Sequence, residues 1–519
     1  MRQGWAVAPP AEYLLTTGGD TRLRLDPETG LNRYGCSPRP RPEAITFAST
    51  TATSISVGAF RQVESLRQSL LQAAIVGQLS QAYTRAMEDT RSEILALSGA
   101  AAVPGCQAVL TPSGTDAEFY ALELALAGHD RPLTNIVIAP HETGSSVVPA
   151  ASGRNYNTIT ALGVGVEIDA PVDETSAARV EINSVPVRDA AGELLPVAEV
   201  DATAEQFAAA AVKAGRRVLL HLLDTSKTGM VAPSVACVVA LARRFAGHLD
   251  VIVDASQLRM CPETIAAYLG QGFMVILTGS KFFTGPPFAG ALLVPPGIGL
   301  RVVGDEACLP AGYSAYTTRA CWPAPWAAYC RNLNDSLTLG VLLRWWAALW
   351  EMRAFHAITV PGPRLILDTF IRVIGEAVDL SPVLRRLPVP VPDRSPLIGG
   401  QGWDGLPTIL PFALVPEGAS APLDLAMAQR LYGWLNRDVS AWLPAMARDE
   451  ERRLASLRCH IGQPVLLGET LCGLRLAAGA RLVSDGPALL EQEIADARRV
   501  LAKIAFLLRH LEHFAASIG

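Results

Sequence analysis

Of the 44 basic residues in this chain only four are lysines, Lys213, Lys227, Lys281 and Lys503. Arginine serves in most surface roles of lysine but cannot form an imine, so a lysine in an apolar setting is informative. Lys281 has such a setting. It follows the strand-like run Val275-Ile-Leu-Thr278 and a small-residue turn, precedes Phe282 and Phe283, and has no carboxylate in the twenty residues after it. Desolvation lowers the pKa of an amine and makes it a nucleophile for an aldehyde. The same placement also suits a lysine snorkelling at a strand end. Two further stretches carry related chemistry. In Leu110-Thr-Pro-Ser-Gly-Thr-Asp-Ala-Glu118 an apolar strand ends, Ser113 and Gly114 turn the chain, and a helix starts near Thr115. Free N–H groups and the positive helix end then face one spot beside two hydroxyls, a geometry that binds phosphate. Ser113-x-x-Asp116 equally reads as a capping box. In Leu249-Asp-Val-Ile-Val-Asp-Ala-Ser-Gln257 a buried strand delivers Asp254 and Gln257 at its C-terminal end, where α/β sheets place ligands. A carboxylate there pairs with a cationic ring nitrogen, or caps the following turn.

The elements that must position these groups are legible as alternating runs. Strands are expected at Ala108–Thr111, Asn135–Ala139, Arg217–Leu222, Leu249–Val253, Met274–Thr278 and Ala289–Val294. Helices are expected at Asp116–Ala127, Ala204–Ala214 and Ser234–Ala246, after a mostly helical stretch from Glu64 to Ser98. This alternation implies an α/β layer with a mostly parallel sheet. A tryptophan-rich helix, Asn334–Phe355, a Pro/Gly-rich connection, Leu387–Pro407, strand-like runs at Thr408–Val415 and Gly473–Leu482, and a long helix, Gly486–Ala515, follow. They predict a smaller α+β C-terminal domain. The division expected is an N-terminal arm over 1–59, mostly irregular and packing on both domains, a large domain over 60–330 and a small one over 331–519.

The 519 residues are 50% hydrophobic and 18% charged, too apolar for disorder and ample for a large core. A net charge of −5 argues against binding nucleic acid or an anionic membrane by bulk charge. Nine cysteines without a C-x-x-C pair fit neither a disulfide scaffold nor a zinc ribbon, and no metal site is read. The uncharged stretch Phe282–Leu300 is broken by Pro286, Pro287, Pro295 and Pro296, so it is no membrane span. Met1–Pro10 has no apolar core of a secretory signal. A cytoplasmic protein is the expectation.

Taken in order and spacing, these motifs resemble fold type I pyridoxal-phosphate (PLP) enzymes, most closely the class V aminotransferase and cysteine desulfurase superfamily. Its V-D-A-x-Q and S-x-x-K motifs look like Val253-Asp-Ala-Ser-Gln257 and Thr278-Gly-Ser-Lys281. The resemblance covers roughly residues 60–350, and the C-terminal domain in outline. It implies that Lys281 holds PLP as an internal aldimine and later shuttles the substrate Cα proton. Asp254 would keep the pyridine nitrogen protonated, and Gln257 would sit near the ring hydroxyl or phosphate. Ser113, Gly114 and Thr115 would hold the phosphate, helped by Thr278 and Ser280. His141, in Ala139-Pro-His-Glu-Thr-Gly144, matches the aromatic position that stacks on the ring; a hydrogen-bonded structural histidine is the other reading. Asp224-Thr-Ser-Lys-Thr-Gly229 resembles the family's S-x-T-G or N-N-E-x-G turn, which brings Ser226 to the ring hydroxyl and makes Lys227 an exposed turn residue.

Two further assignments follow from the resemblance. Gly312-Tyr-Ser-Ala-Tyr-Thr-Thr-Arg319 stands where the superfamily reaches across a dimer, so Tyr313, Tyr316 or Thr317 would complete the partner's phosphate site, unless the loop is simply a hydroxyl-rich surface. Arg475, in Gly473-Leu-Arg-Leu-Ala-Ala-Gly479, matches the strand that clamps the substrate carboxylate, with Arg481 as competitor on the same side. Tyr34–Pro42 and Ser49–Ser54 either close over the substrate or form a rigid arm. The chain departs from the desulfurases in its cysteines: neither Cys459 nor Cys472 stands in a small-residue loop. The expected function is that of a homodimeric PLP enzyme with shared active sites acting on an amino-acid-like substrate, an aminotransferase first. The alternative is a Cβ/Cγ (C–S) lyase or replacement enzyme. A non-catalytic PLP-binding protein ranks below both, because Lys281, Asp254 and the phosphate turn are intact.

Overall fold

Runs such as Leu249–Ala255 and Met274–Thr278 are apolar at nearly every position, the pattern of strands covered on both faces. A computed structural model of the chain, describing residues 6–304, 307–444 and 446–517, buries both along their whole length. Residues 1–5, part of the stretch read as lacking a secretory signal, lie outside the described residues. After strand β1 (Ala44–Phe47) and helices α1 (Val57–Ile75) and α2 (Leu79–Leu97), the chain builds a large sheet. Its strands are β2 (Gln107–Thr111), β3 (Leu133–Ile138), β4 (Val180–Val185), β5 (Arg217–Asp224), the short β6 (Val231–Ala232), β7 (Leu249–Ala255), β8 (Met274–Thr278) and β9 (Gly290–Val294). The spatial order is β2-β9-β8-β7-β5-β3-β4, with β6 paired to β5. Strands β4, β3, β5, β7 and β8 run parallel, while β9 is antiparallel to both β8 and β2. Parallel neighbours need crossovers, and the helices Val197–Lys213, Val235–Arg244 and Pro262–Gly270 supply them. Helix α3 (Gly114–Leu126) follows β2 directly and is buried over almost its whole surface.

Helix α4 (Leu339–His356) is apolar nearly all round and packs against α1 and α2, so it leans on the large sheet's layer although the sequence division places it in the small domain. Trp345 Nε1 donates to the Gly290 carbonyl at 2.8 Å. Arg344, fully buried, donates to the carbonyls of Phe288 at 2.7 Å, Leu15 at 2.9 Å, Thr17 at 2.5 Å and Gly18 at 2.7 Å. It straps the N-terminal arm to the sheet. Gly340 permits that approach, because a Cβ there would stand 2.1 Å from the Thr17 carbonyl oxygen.

The second sheet joins β10 (Leu384–Arg386), β11 (Ile409–Leu414), β12 (Arg458–Leu466) and β13 (Cys472–Ala477) in the order β1-β12-β13-β11-β10. It is antiparallel except at its edge, where β1 pairs in parallel with β12 from Ala44↔Arg458 to Phe47↔Ile461. The N-terminal segment is therefore not irregular throughout. The run expected to extend to Leu482 ends at Ala477, and Ala480–Ser484 turns into a short helix. The final helix divides into α5 (Leu490–Arg509) and a last helix, Leu511–Ser517. One continuous apolar core includes Leu110 and Ile276 of the large sheet and Phe412 and Leu474 of the small one. Among the described residues no helix is long and apolar enough to cross a membrane, and no group of His, Cys, Asp and Glu could hold a metal ion.

Candidate active site

A cleft of ≈ 660 Å³ opens where β5, β7 and β8 end and α3 begins, roofed by the N-terminal arm and by residues of β12 and β13. Ser113, Gly114 and Thr115 line it at the start of α3. Ser113 Oγ accepts from the Asp116 N–H at 3.3 Å and donates to Asp116 Oδ2 at 2.5 Å, so the capping role and the cleft-facing role coexist in one residue. Burial pushes the Asp116 carboxyl up to about 6. Gly114 has no room for a side chain, since a Cβ would stand 2.6 Å from Ser256 Oγ. Thr278 Oγ1 donates to the Ser256 carbonyl at 2.8 Å, and Ser280 Oγ to Thr278 Oγ1 at 3.3 Å. This corner is a set of hydroxyls and free helix N–H groups, suited to an anion.

Asp254, at the end of β7, faces the same cleft and accepts from the Ser256 N–H at 3.1 Å. Gln257 lines it too, donating from Nε2 to the Thr50 carbonyl at 3.1 Å. Behind Asp254 lie Glu118 and His221, with Glu118 Oε2 3.8 Å from His221 Nε2. Burial, helped by the Asp254 charge, holds the Glu118 carboxyl well above the usual range, and burial pulls His221 down to about 4. Lys281 comes off the turn after β8, and burial lowers its amine to about 8 against the opposing pull of Asp254. His141 lines the rim and is exposed.

Several sequence expectations need correction. Ser226 does not reach the cleft: its hydroxyl donates to Glu142 Oε2 at 2.6 Å in a buried cluster with Thr228. Leu223, Thr225 and Lys227 line the cleft instead. Asp224 closes β5 and the turn after it places Ser226 and Thr228 against Glu142, away from the cleft. Lys227 is consequently not an exposed turn residue. Tyr313, Tyr316 and Thr317 are buried in their own chain, which leaves them no reach to a partner's site. Tyr316 donates to Asn155 Oδ1 at 2.6 Å and packs edge-on against Phe119; Thr317 Oγ1 accepts from Trp322 Nε1 at 3.2 Å. Arg481 is not beside Arg475. It leaves the sheet with Ala480–Ser484 and pairs with Glu351 at 2.9 Å. Arg475 lines the cleft, donating from Nη2 to the Gln463 carbonyl at 2.6 Å. Cys459 and Cys472 are buried away from it.

The sequence reading missed Arg22. It pairs with Asp20 at 2.6 Å, lies over the Phe288 ring at 4.8 Å, and brings Nη2 to 3.5 Å from Ser113 Oγ. Its partner Asp20 is local, but the Phe288 ring that carries the pair to the cleft is distant in sequence, so nothing in the local run marks it. Tyr34, Thr50 and Thr51 of the arm also line the cleft, the closure proposed for that segment.

No family model matches the chain, and no curated protein matches it by sequence. Its fold is that of the fold type I PLP-dependent enzymes, as the class V motifs led us to expect. Among solved structures it is similar to a cystine C–S lyase in complex with cysteine persulfide, at 16% identity over 89% of this chain and 98% of that one, with a TM-score of 0.51. The alanine–glyoxylate aminotransferase of Nostoc sp. matches at 13% identity over 90% and 97%, TM-score 0.51. The tryptophan decarboxylase of Catharanthus roseus, in complex with L-tryptophan, matches at 14% over 92% and 85%, TM-score 0.51. Three different reactions share this fold, so the likeness is one of architecture.

Proposed function

We propose that the chain is a PLP-dependent enzyme acting on an amino-acid-like substrate, an aminotransferase. The homodimeric state that the class V resemblance implies, and the cytoplasmic location expected from the cysteines and the N-terminal segment, belong to the same reading. The observation that carries it is the convergence of Lys281, Asp254 and the start of α3 on one cleft. The residues present fit the cofactor. Thr225 Oγ1, Glu118 Oε2 and Arg475 Nε are buried in the cleft wall with no hydrogen-bond partner, so the wall is made for a polar guest. The α3 N–H groups, Ser113, Thr115, Ser256 and Arg22 would hold its phosphate; Asp254, Thr225 and His141 would meet its ring.

When bound, PLP supplies an aldehyde for condensation with amines and a ring that takes up the electrons of a bond at the substrate Cα. The rest is the protein's work. With its amine lowered to about 8, Lys281 is free base in a useful fraction of molecules at neutral pH. Lys281 Nζ would hold the cofactor's aldehyde carbon, with loss of water, and would later take the proton from the substrate Cα. Asp254 would face the ring nitrogen. Arg475 orients the substrate carboxylate through its free Nε. Tyr34, Thr50 and Thr51 exclude water from above.

Borohydride reduction followed by peptide mass mapping tests the reading. A reduced pyridoxyl adduct on Lys281 is expected. An adduct on another lysine overturns the site assignment, and no adduct with added PLP overturns the function. Keto-acid-dependent formation of pyridoxamine phosphate then marks transamination, whereas release of ammonia or sulfide marks a lyase.

A further inference from the structure

Lys227 and Arg475 are neighbours in the cleft wall: Arg475 Nη1 donates to the Lys227 carbonyl at 3.3 Å, and both side chains line the cavity. Among the described residues neither makes an ion pair. Arg475 is 2% exposed, donates to the carbonyls of Gln463 and Lys227 and to Thr51 Oγ1, and keeps Nε without a partner. Among the described residues Lys227 Nζ has no hydrogen-bond or ion-pair partner. The carboxylates near it are otherwise engaged. Glu142 is paired with Arg188 through one oxygen and accepts from Ser226 and Thr228 through the other. Asp254 faces Lys281. Arg475 is buried and Lys227 beside it is half-buried, and neither has a carboxylate of its own, so the pair becomes more favourable when an anionic group arrives between them. The depressed amine of Lys227, lowered to about 7 by burial, then by Arg475 and Lys281, is what such an uncompensated cluster produces.

Arg475 has Nε left to offer a first carboxylate, its Nη2 being spent on Thr51 and Gln463. Lys227 is left over. It is a point charge on a flexible stem, the kind of cation that serves a second, less constrained anion. At the mouth Arg33, exposed and with no side-chain ion pair among the described residues, adds to the attraction.

We propose that Lys227 is a specificity-determining residue that binds a second anionic group, so that the substrate is an amino acid with an acidic side chain. This rests on the PLP reading above. Arg475 takes the α-carboxylate and Lys227 the distal one; a substrate lacking the distal charge leaves the ammonium unpaired.

The test separates the two claims. Wild type and Lys227→Met are loaded with PLP, and borohydride mapping is run on both. A Lys281 adduct in each keeps the PLP reading and shows that the variant folds with an intact site. No Lys281 adduct in wild type overturns that reading, and this proposal with it; an adduct on Lys227 does the same. Binding of unreactive glutarate and butyrate is then measured by calorimetry on the loaded proteins. Glutarate is expected to bind wild type about tenfold or more tighter than butyrate, the scale of one charge-assisted contact. In Lys227→Met that preference should fall to about twofold or less, with butyrate affinity little changed, and Lys227→Arg should restore part of it. Equal affinity of wild type for the two acids overturns the proposal, because the two cations then share one carboxylate. An equal loss for both acids in Lys227→Met also overturns it, as that marks a structural lysine.

Discussion

Arg394 grips both oxygens of Asp224, with Nε and Nη2 each 2.7 Å from the carboxylate, and neither residue is reached by solvent to any extent. The pair ties the Pro/Gly-rich connection of the C-terminal half to the end of β5, one residue before the cleft-lining Thr225. Tyr268 adds a hydrogen bond to Asp224 Oδ2 at 2.8 Å. Breaking the pair from one side strands a buried charge, which costs about 3–5 kcal/mol. Arg394→Met should therefore lower the melting temperature markedly, while Arg394→Met combined with Asp224→Asn recovers much of the loss. Thermal unfolding of the two variants checks this; equal melting points would show that the pair does not hold the strand end.

Arg22 is expected to act on the phosphate end of the cofactor. Arg22→Ala should weaken PLP binding about 10- to 100-fold, the scale of a charge-assisted hydrogen bond in a sheltered site. Pyridoxal, which lacks the phosphate, should bind the two proteins within about twofold of each other. Fluorescence titration of both compounds decides the point, and parallel losses would move Arg22 to a structural role.

The Lys281 amine predicts a pH dependence of cofactor capture. Only the free base attacks an aldehyde, so capture by the cofactor-free protein should climb with pH and level off above about 8. Below that value the rate should fall about tenfold per pH unit. Stopped-flow absorbance gives the profile, and a midpoint near the ordinary lysine value would mean that Lys281 is not desolvated.

Stability in acid should be limited in part by His460. It is buried, hydrogen-bonded through Nε2 to the Tyr34 carbonyl at 2.8 Å, and burial lowers it to about 4. The unfolded chain takes up a proton on this ring near pH 6.5, while the folded protein resists until about 4. Its contribution is full above pH 6.5, declines as the pH drops, and is exhausted below about 4; at pH 5 the loss is about 2 kcal/mol. His460→Gln should flatten the fall in melting temperature between pH 6.5 and 5. An unchanged slope would place the acid sensitivity elsewhere.

What could be read from the sequence, and what could not, follows the range of the interactions involved. Lys281, Asp254 and Ser113 sit at strand or helix ends whose apolar runs define them locally, and all three reach one cleft. Ser226 failed because the turn after β5 draws its hydroxyl to the distant Glu142 and leaves Thr225 and Lys227 at the cleft. Tyr316 and Thr317 resemble a hydroxyl-rich surface loop in composition, yet Phe119 and Trp322, distant in sequence, turn them into core. Strands β1 and β12 were missed because β1 is short and β12 carries an irregularity between Gly462 and Val465, and their mutual pairing joins segments far apart in sequence. Arg22 carries no signal in its local run, because the Phe288 ring that carries it to the cleft is distant in sequence.

The edge strand β1 has a consequence for how the protein is made. Its partner β12 is translated long after it, so β1 waits while every strand of the large sheet is made. A nascent chain that has emerged through β9 already holds all strands of the large sheet. It still lacks Arg475 and the anchorage of the arm bearing Thr50. Such pairings of distant segments are the slow ones in folding. Chains that stop before β13 would thus expose an unroofed cleft, and the capacity to retain cofactor arrives only once β12 and β13 are in place.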